Sequence, residues 1–222
     1  MSRVVPNDLL RVNCSIEEFY NQKERQERRL YLSREISSLD YDENNYYIFT
    51  SMVGQIILDI VEYNREDTGI PIAERKPIKL YINSPGGEID EGFPLISAIE
   101  LSQTPVYTIN IGRWSSMSFL IGITGHKRLA LPYTTFLLHD GSTVNYGTTS
   151  KALDKAKFDD RFEQEVVKKH VLKHSKMTSA EYDGLLRVEY YMLPQDAKEH
   201  GFIDHIVGDI REIMWPPPKA GF

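Results

Sequence analysis

The chain has 222 residues, a formal net charge of −6 at pH 7 and one cysteine. This length suits one large domain or two small ones. The net negative charge offers no basic surface of the kind that binds nucleic acid, so nucleic acid is not expected as a partner. A single thiol excludes a disulfide framework and a cysteine-based metal site within one chain. No run of about 18 apolar residues occurs, so we expect no membrane span.

The two ends of the chain are predicted to lie outside the folded core. Residues 1–28 are polar and carry charges of both signs, which is typical of a surface arm that becomes ordered on assembly. Met1 to Asn13 lacks the long apolar segment of a secretory signal. Residues 210–222 contain Trp215 followed by three prolines, which cannot continue a helix or a central strand. This tail is therefore predicted to be extended.

The middle of the chain alternates between apolar strands and helices. Apolar residues at three- and four-residue steps over residues 46–63 predict an amphipathic helix. The alternation that follows indicates an α/β class with parallel strands. In chain order the further predicted elements are a strand at Ile78–Ile82, a helix at Gly92–Leu101, a strand at Val106–Ile111, a helix at Ser115–Thr124, a strand at Thr134–Leu138, a charged helix at Lys151–His174, a helix at Leu193–His200 and a strand at Phe202–Val207.

Three of these predicted strands end in groups that are capable of chemistry. The first runs into Gly86 and Gly87, the second runs into Ser116, and the third ends on His139. Functional groups gather at the strand ends of parallel α/β sheets. A serine at a strand–turn–helix junction exposes its hydroxyl, and backbone amides at glycines can stabilise an oxyanion. The joint order of these groups predicts nucleophilic catalysis.

Each of these signals also has a plainer interpretation. Ser115 and Ser116 can cap the helix that begins near Met117. His139 can be a hydrogen-bonded structural histidine, and a Pro-Gly-Gly sequence is most often a turn. Taken one at a time the residues leave these alternatives open.

The combination of motifs resembles the Clp protease proteolytic subunits (ClpP) of the ClpP/crotonase-like superfamily. The similarity covers about Arg29 to Asp209 and implies an α/β, ClpP/crotonase-like fold. Residues 29–209 would form the protease domain, with the charged helix near residues 151–174 as a projecting handle. The segments that carry the resemblance are Leu80 to Gly87, Gly112-x-x-x-Ser116-Met117, Leu131-Pro132, His139 and Asp196 to Asp204.

The resemblance implies a serine endopeptidase without a cofactor. Ser116 falls on the nucleophile, His139 on the general base, and the Gly87 and Met117 amides on the oxyanion hole. Seven subunits would form a ring, and two rings would enclose a chamber as a tetradecamer. A Clp-type AAA+ ATPase would deliver unfolded polypeptide substrates, in a bacterial cytosol or an organelle stroma.

The chain departs from the family at several positions. The family's triad acid falls on Leu185, which cannot orient an imidazole, so the nearby Glu189 and Asp183 are candidate acids. The sequence Asp140 to Gly147 replaces the family's usual QPxGG-type segment. Trp114 precedes the nucleophile where a small residue is usual, and it is predicted either to fill part of a specificity pocket or to pack in the core.

These departures leave two further hypotheses. Leu185 is the chief support for a catalytically weak or inactive paralogue that completes a mixed ring. A crotonase-fold enzyme acting on an acyl thioester is disfavoured by the Ser116–His139 pair.

His170 and His174 have metal-ligand spacing on a helix, but no HExxH pattern accompanies them, so no metal site is predicted.

Overall fold

The structure is a computed structural model that describes residues 22–38, 40–41, 47–48, 51–141, 147–185 and 188–214. The predictions for residues 1–21 of the arm, for residues 142–146 and for residues 215–222 of the tail lie outside the described residues. None of the described helices combines the length and the apolar character that a membrane span requires.

Most strands of the described residues belong to one seven-stranded sheet. Parallel pairing runs in the order β1-β4-β5-β6-β9; β7 pairs in parallel with β5, and β8 pairs antiparallel with β7. The predicted α/β class with parallel strands is confirmed. The strands are β1 (Arg29–Leu32), β2 (Asp40–Tyr41), β3 (Tyr47–Ile48), β4 (Ile78–Ser84), β5 (Val106–Ser115), β6 (Lys127–Ala130), β7 (Thr135–Leu138), β8 (Tyr190–Met192) and β9 (His205–Ile206), of which β2 and β3 form a separate pair.

Helices cover the sheet and also project from it. The innermost helix follows β5, and all seven of its residues are buried. A five-residue π-helical segment, Glu163–Val167, joins two α-helices into one long element. The helices are α1 (Met52–Glu66), α2 (Ile89–Leu101), α3 (Met117–Ile123), α4 (Thr149–Phe162), α5 (Lys168–Lys173), α6 (Ser179–Leu185) and α7 (Pro194–Glu199), with 3₁₀ turns at Ile72–Glu74 and Ile210–Ile213.

Several predicted boundaries were wrong for local reasons. The helix predicted over residues 46–63 begins at Met52, because the Ser51 side chain accepts a hydrogen bond from the Gly54 amide and caps it. Helix α2 begins at Ile89, three residues before the predicted start at Gly92. The last strand is only His205–Ile206, shorter than predicted.

Trp114 lies in the core, so its predicted role in a specificity pocket was wrong. The side chain is fully buried and contacts Phe136 edge to face, with ring centroids 5.4 Å apart. Gly122 of α3 lies directly against the indole ring, where a Cβ atom would overlap it. Strand β5 and α3 therefore pack closely because a large residue faces a glycine.

The helix predicted at residues 151–174 is present and extends from Thr149 to Lys173. No residue of its α4 segment is buried, and the apolar side chains of Leu153 and Phe158 are exposed. Only its base is fixed to the body, where Phe162 contacts Phe93 edge to face. A helix with this pattern projects from its own subunit.

A buried ion pair joins the beginning of β1 to the end of α1. The Arg28 guanidinium donates to both carboxylate oxygens of Asp67, at 2.6 and 2.8 Å, and the Thr104 hydroxyl donates to the same carboxylate at 2.7 Å. Only 3% of the Asp67 side chain is exposed. The Arg28 guanidinium therefore holds the pKa of Asp67 below its usual range. The Asp67 carboxylate thus connects the end of α1 to two other segments, at Arg28 and at Thr104.

We expect Asp67→Ala to lower the free energy of unfolding by about 3 kcal/mol, because the buried Arg28 charge loses its closest carboxylate and keeps the more distant, more exposed Glu66. Glu66→Gln is the matched control, since Glu66 also contacts Arg28 but is more exposed, and its effect should stay below about 1 kcal/mol. Urea denaturation at one protein concentration measures both. Because the folded pKa is depressed, the Asp67 contribution is present above about pH 4 and is lost as the pH falls further. Equal effects of the two substitutions would contradict this role.

Candidate active site

Ser116 occupies a sharp turn between β5 and α3. Its backbone has φ +54° and ψ −127°, a conformation that costs a non-glycine residue about 1–3 kcal/mol. Its side chain makes no capping hydrogen bond, so the alternative interpretation of Ser116 as a helix-capping side chain is wrong. The Ser116 amide donates to the Leu137 carbonyl of β7 at 3.0 Å. The half-buried hydroxyl is thus held at a strained turn beside the end of β7.

The turn is also fixed to β4 through a second serine. The Ser118 hydroxyl accepts from the Ser115 amide at 2.9 Å and donates to the Ser84 carbonyl at 2.8 Å. Sequence reasoning missed Ser118, because a serine in an apolar helix carries no motif signal. Its two bonds lock the residues around Ser116 to the strand that precedes the glycines.

Gly86 and Gly87 lie against this turn in conformations that favour glycine. Their φ values are +94° and +143°. A Cβ atom at Gly86 would lie 2.5 Å from the Ser115 carbonyl oxygen and 2.7 Å from the Ser116 Cβ. At Gly87 it would overlap the backbone of Ile36. The Pro-Gly-Gly sequence therefore brings the main chain close to Ser116, and Gly87 forms a parallel bridge with Ile36.

Two backbone amides next to Ser116 are available to a ligand. Within the described residues neither the Gly87 amide nor the Met117 amide donates a hydrogen bond. The Gly86 carbonyl accepts from the Ile36 amide at 2.8 Å, which fixes the peptide plane between Gly86 and Gly87. In a trans peptide the N–H points opposite to the C=O, so the Gly87 N–H points away from Ile36.

His139 follows β7, two residues after the Leu137 carbonyl that accepts from the Ser116 amide, and it faces a carboxylate. Its Nδ1 atom is 3.5 Å from Oε1 of Glu189, within ion-pair distance but long for a hydrogen bond. Its Nε2 atom is buried and has no hydrogen-bond partner among the described residues. If His139 were a hydrogen-bonded structural histidine, the alternative considered from the sequence, its Nε2 atom would have a partner. In catalytic sites without substrate such bonds are often long or absent.

The register between β7 and β8 explains why Glu189 reaches His139. Leu138 lies opposite Tyr190 in this antiparallel pair, so the next position on each strand places His139 opposite Glu189. The other Glu189 carboxylate oxygen accepts from the Tyr191 hydroxyl. Sequence reasoning named Glu189 as a candidate but missed strand β8, whose three residues are too few to show a period.

The second candidate acid has a different partner. The Asp183 carboxylate lies on α6, 2.6 Å from Nζ of Lys168, and it accepts a hydrogen bond from the Ser179 hydroxyl. Leu185, at the position of the family's acid, packs against the hydrophobic core. The structure thus brings Ser116, Gly87, Met117, His139 and Glu189 to one region and leaves Asp183 in an ion pair with the handle.

This arrangement agrees with the comparisons to known proteins. A family model described as Clp protease matches residues 71–209, more than half of the chain. The chain belongs to the Clp protease family. The predicted resemblance and the ClpP-type fold are therefore confirmed, and the chain is a member of a peptidase family.

Two relatives extend the comparison beyond the family match. The ATP-dependent Clp protease proteolytic subunit of Deinococcus radiodurans is 32% identical over 148 residues, which cover 61% of this chain and 67% of the relative. The ATP-dependent Clp protease proteolytic subunit 2 of Prochlorococcus marinus is 32% identical over 140 residues, covering 60% of this chain and 67% of the relative.

The strain at Ser116 can be measured with two substitutions that both remove the hydroxyl. We expect Ser116→Gly to be more stable than Ser116→Ala by about 1 kcal/mol, because glycine adopts positive φ without a Cβ clash. Glycine's greater freedom in the unfolded chain offsets part of the gain. Urea denaturation of the two variants tests this, with Ser115→Gly and Ser115→Ala as the control pair on ordinary strand backbone. A glycine variant less stable than the alanine variant at residue 116 would contradict a strained turn.

Proposed function

We propose that this Clp-family chain is a serine endopeptidase subunit in which Ser116, His139 and Glu189 act together. The observation that carries the proposal is the position of His139. One ring nitrogen faces the Glu189 carboxylate. The other is buried and has no hydrogen-bond partner among the described residues, and it belongs to a residue two positions after Leu137, whose carbonyl accepts from the Ser116 amide. A proton on Nδ1 directed at Glu189 leaves the Nε2 lone pair free to accept the Ser116 proton.

The reaction follows from these positions. Ser116 Oγ attacks the peptide carbonyl carbon while its proton passes to Nε2 of His139. The Gly87 and Met117 amides donate to the oxygen that becomes negative in the tetrahedral intermediate. The imidazolium then gives its proton to the departing amine, and water releases the acyl group by the same steps in reverse order. Glu189 stabilises the imidazolium that forms in both halves.

The position of Glu189 favours an active chain over an inactive paralogue. The inactive hypothesis rested on Leu185, because the family's triad acid falls on that position and a leucine cannot orient an imidazole. A carboxylate from β8 supplies what the α6 position lacks, although 54% of the Glu189 side chain is exposed. Exposure weakens its field on the imidazole, so we propose a smaller contribution than a buried triad acid makes.

Assembly and partners form the rest of the proposal. The exposed apolar side chains of α4 support burial against another subunit, as expected for stacked rings. Both relatives are named ATP-dependent, which supports work with a Clp-type AAA+ ATPase and unfolded polypeptide substrates. The heptameric stoichiometry, the choice between identical and mixed rings, and the cytoplasmic location stay predictions.

A fluorophosphonate probe tests the nucleophile. We expect the wild-type chain to be labelled at one site, and Ser116→Ala and His139→Ala to lose the label, because the hydroxyl needs the imidazole to become nucleophilic. Labelling is measured by intact mass on the assembled particle. Ser115→Ala, which removes the neighbouring hydroxyl, is the control and should keep the label. Absence of label on the wild-type particle, or its persistence in Ser116→Ala, would overturn the proposal.

The acid is tested by two matched carboxylate-to-amide changes. Glu189→Gln should lower kcat for a peptide substrate by about ten- to a hundredfold, less than the roughly 10⁴-fold loss for a buried triad acid. Asp183→Asn should leave kcat unchanged, because Asp183 pairs with Lys168. If kcat is equally insensitive to both changes while His139→Ala abolishes turnover, Ser116 and His139 work as a dyad and Glu189 has no role.

A further inference from the structure

A cluster of potential metal ligands lies at the base of the handle, apart from the Ser116 site. Glu100 is near the end of α2, His170 is in α5, and His174 follows α5 directly. Oε1 of Glu100 is 3.1 Å from Nε2 of His174 and 3.9 Å from Nδ1 of His170. One ligand atom from each residue lies within 4.8 Å of the others.

We propose that Glu100, His170 and His174 bind one divalent transition-metal ion of the zinc class. No metal site was predicted from the sequence, because the histidine pair has no carboxylate beside it in the HExxH manner. The fold supplies that carboxylate from α2, 70 residues before His170. Two imidazoles with one carboxylate suit Zn²⁺, Co²⁺ or Ni²⁺, whereas Mg²⁺ and Ca²⁺ prefer oxygen ligands.

The surroundings of His170 direct one ring nitrogen towards the cluster. Its Nε2 atom is 3.0 Å from the Leu120 carbonyl oxygen, which can only accept, so Nε2 carries the proton. The Thr124 hydroxyl lies 3.2 Å from the same nitrogen. The proton-free Nδ1 therefore faces Glu100. A histidine that donates one N–H to a backbone carbonyl and presents the other nitrogen is the usual arrangement of metal-ligating histidines.

The two distances from Glu100 are close to those that an ion with short bonds requires, and the cluster as a whole must contract from its separations of up to 4.8 Å. Zinc–nitrogen and zinc–oxygen bonds of about 2.0–2.1 Å place tetrahedral ligand atoms about 3.3 Å apart. The separations of 3.1 and 3.9 Å from Glu100 lie on either side of that value. His170 is buried and fixed, so His174 and the surface Glu100 make the adjustment. His174 also lines an open cleft of about 510 Å³, so this ligand is reached from solvent.

A lysine occupies part of this site when no ion is bound. Nζ of Lys173 is 2.7 Å from Oε1 of Glu100, and 62% of the Lys173 side chain is exposed. Its ammonium group can move into solvent at little cost, because surface ion pairs are weak. In this structure the Nε2 atom of His174 donates a hydrogen bond to Glu100. To bind the ion, Nε2 must present a lone pair, so metal binding moves the Nε2 proton to Nδ1 or releases it to solvent.

Titration with Co²⁺ tests the site, because the ion shows visible absorption when four nitrogen and oxygen ligands surround it. The full-length assembled protein, without a histidine tag and treated with EDTA, is titrated with Co²⁺ and then with competing Zn²⁺. We expect one ion per chain. His174→Gln and Glu100→Gln should each raise Kd at least about tenfold. His205→Gln, which removes a histidine that pairs with Glu212 outside the cluster, is the matched control and should leave Kd unchanged.

Lys173→Gln provides a test that does not depend on losing a ligand. This exposed substitution removes the competing ammonium group, so Kd should fall several-fold. Circular dichroism and sedimentation of each variant show that fold and assembly are retained. A Kd that is the same in His174→Gln as in the wild type, or that is not lowered by Lys173→Gln, would mean that the cluster is an ion-pair network only.

Discussion

Strand β5 changes its hydrogen-bonded neighbour half-way along its length, and the position of the site depends on that change. Its first half, Tyr107 to Asn110, pairs with β6, and its end, Arg113 to Ser115, pairs with β7. A register irregularity against β4 occurs between these halves. A straight strand would keep β6 as its neighbour throughout. Because β5 turns towards β7, Ser116 emerges beside the strand that carries His139.

Strand pairing also explains why the carboxylate that faces His139 belongs to Glu189 and not to the helix position of Leu185. A residue that follows an antiparallel strand pair is positioned by register and not by helix orientation, and a one-residue slip would move it to the other face. Glu189 precedes β8 just as His139 follows β7, so pairing of the two strands brings the side chains together. The position is less buried than a helix-borne acid packed in the core would be. A carboxylate thus lies within ion-pair distance of His139, while Leu185 packs against the hydrophobic core.

The features that could be predicted from the sequence depend on residues close together in the chain. Those that could not be predicted depend on contacts between residues far apart in the chain. Strand ends carrying Gly86, Ser116 and His139 were evident because apolar runs and glycines act locally. Strand β8 was not, since Tyr190–Met192 has no length in which to show alternation and its pairing partner lies about fifty residues earlier in the chain. The role of Trp114 depended on Gly122 facing it, and the carboxylate beside His170 depended on where α2 ends. Such contacts are set by tertiary packing, which a single sequence does not display.

Two energetic costs of the fold fall on residues of the proposed site. Among the described residues, the non-glycine residues with positive φ are Arg28 and Ser116. Arg28 is compensated locally by its ion pair with Asp67, whereas Ser116 has no side-chain hydrogen bond to offset its strain. The buried Nε2 of His139 adds an unsatisfied polar atom, which costs about 1–3 kcal/mol. Glycine at residue 116 and an apolar side chain at residue 139 would remove both costs. Both costs fall on residues of the proposed site, and among the described residues the Gly87 and Met117 amides donate no hydrogen bond. This supports the proposal that a substrate supplies the missing partners.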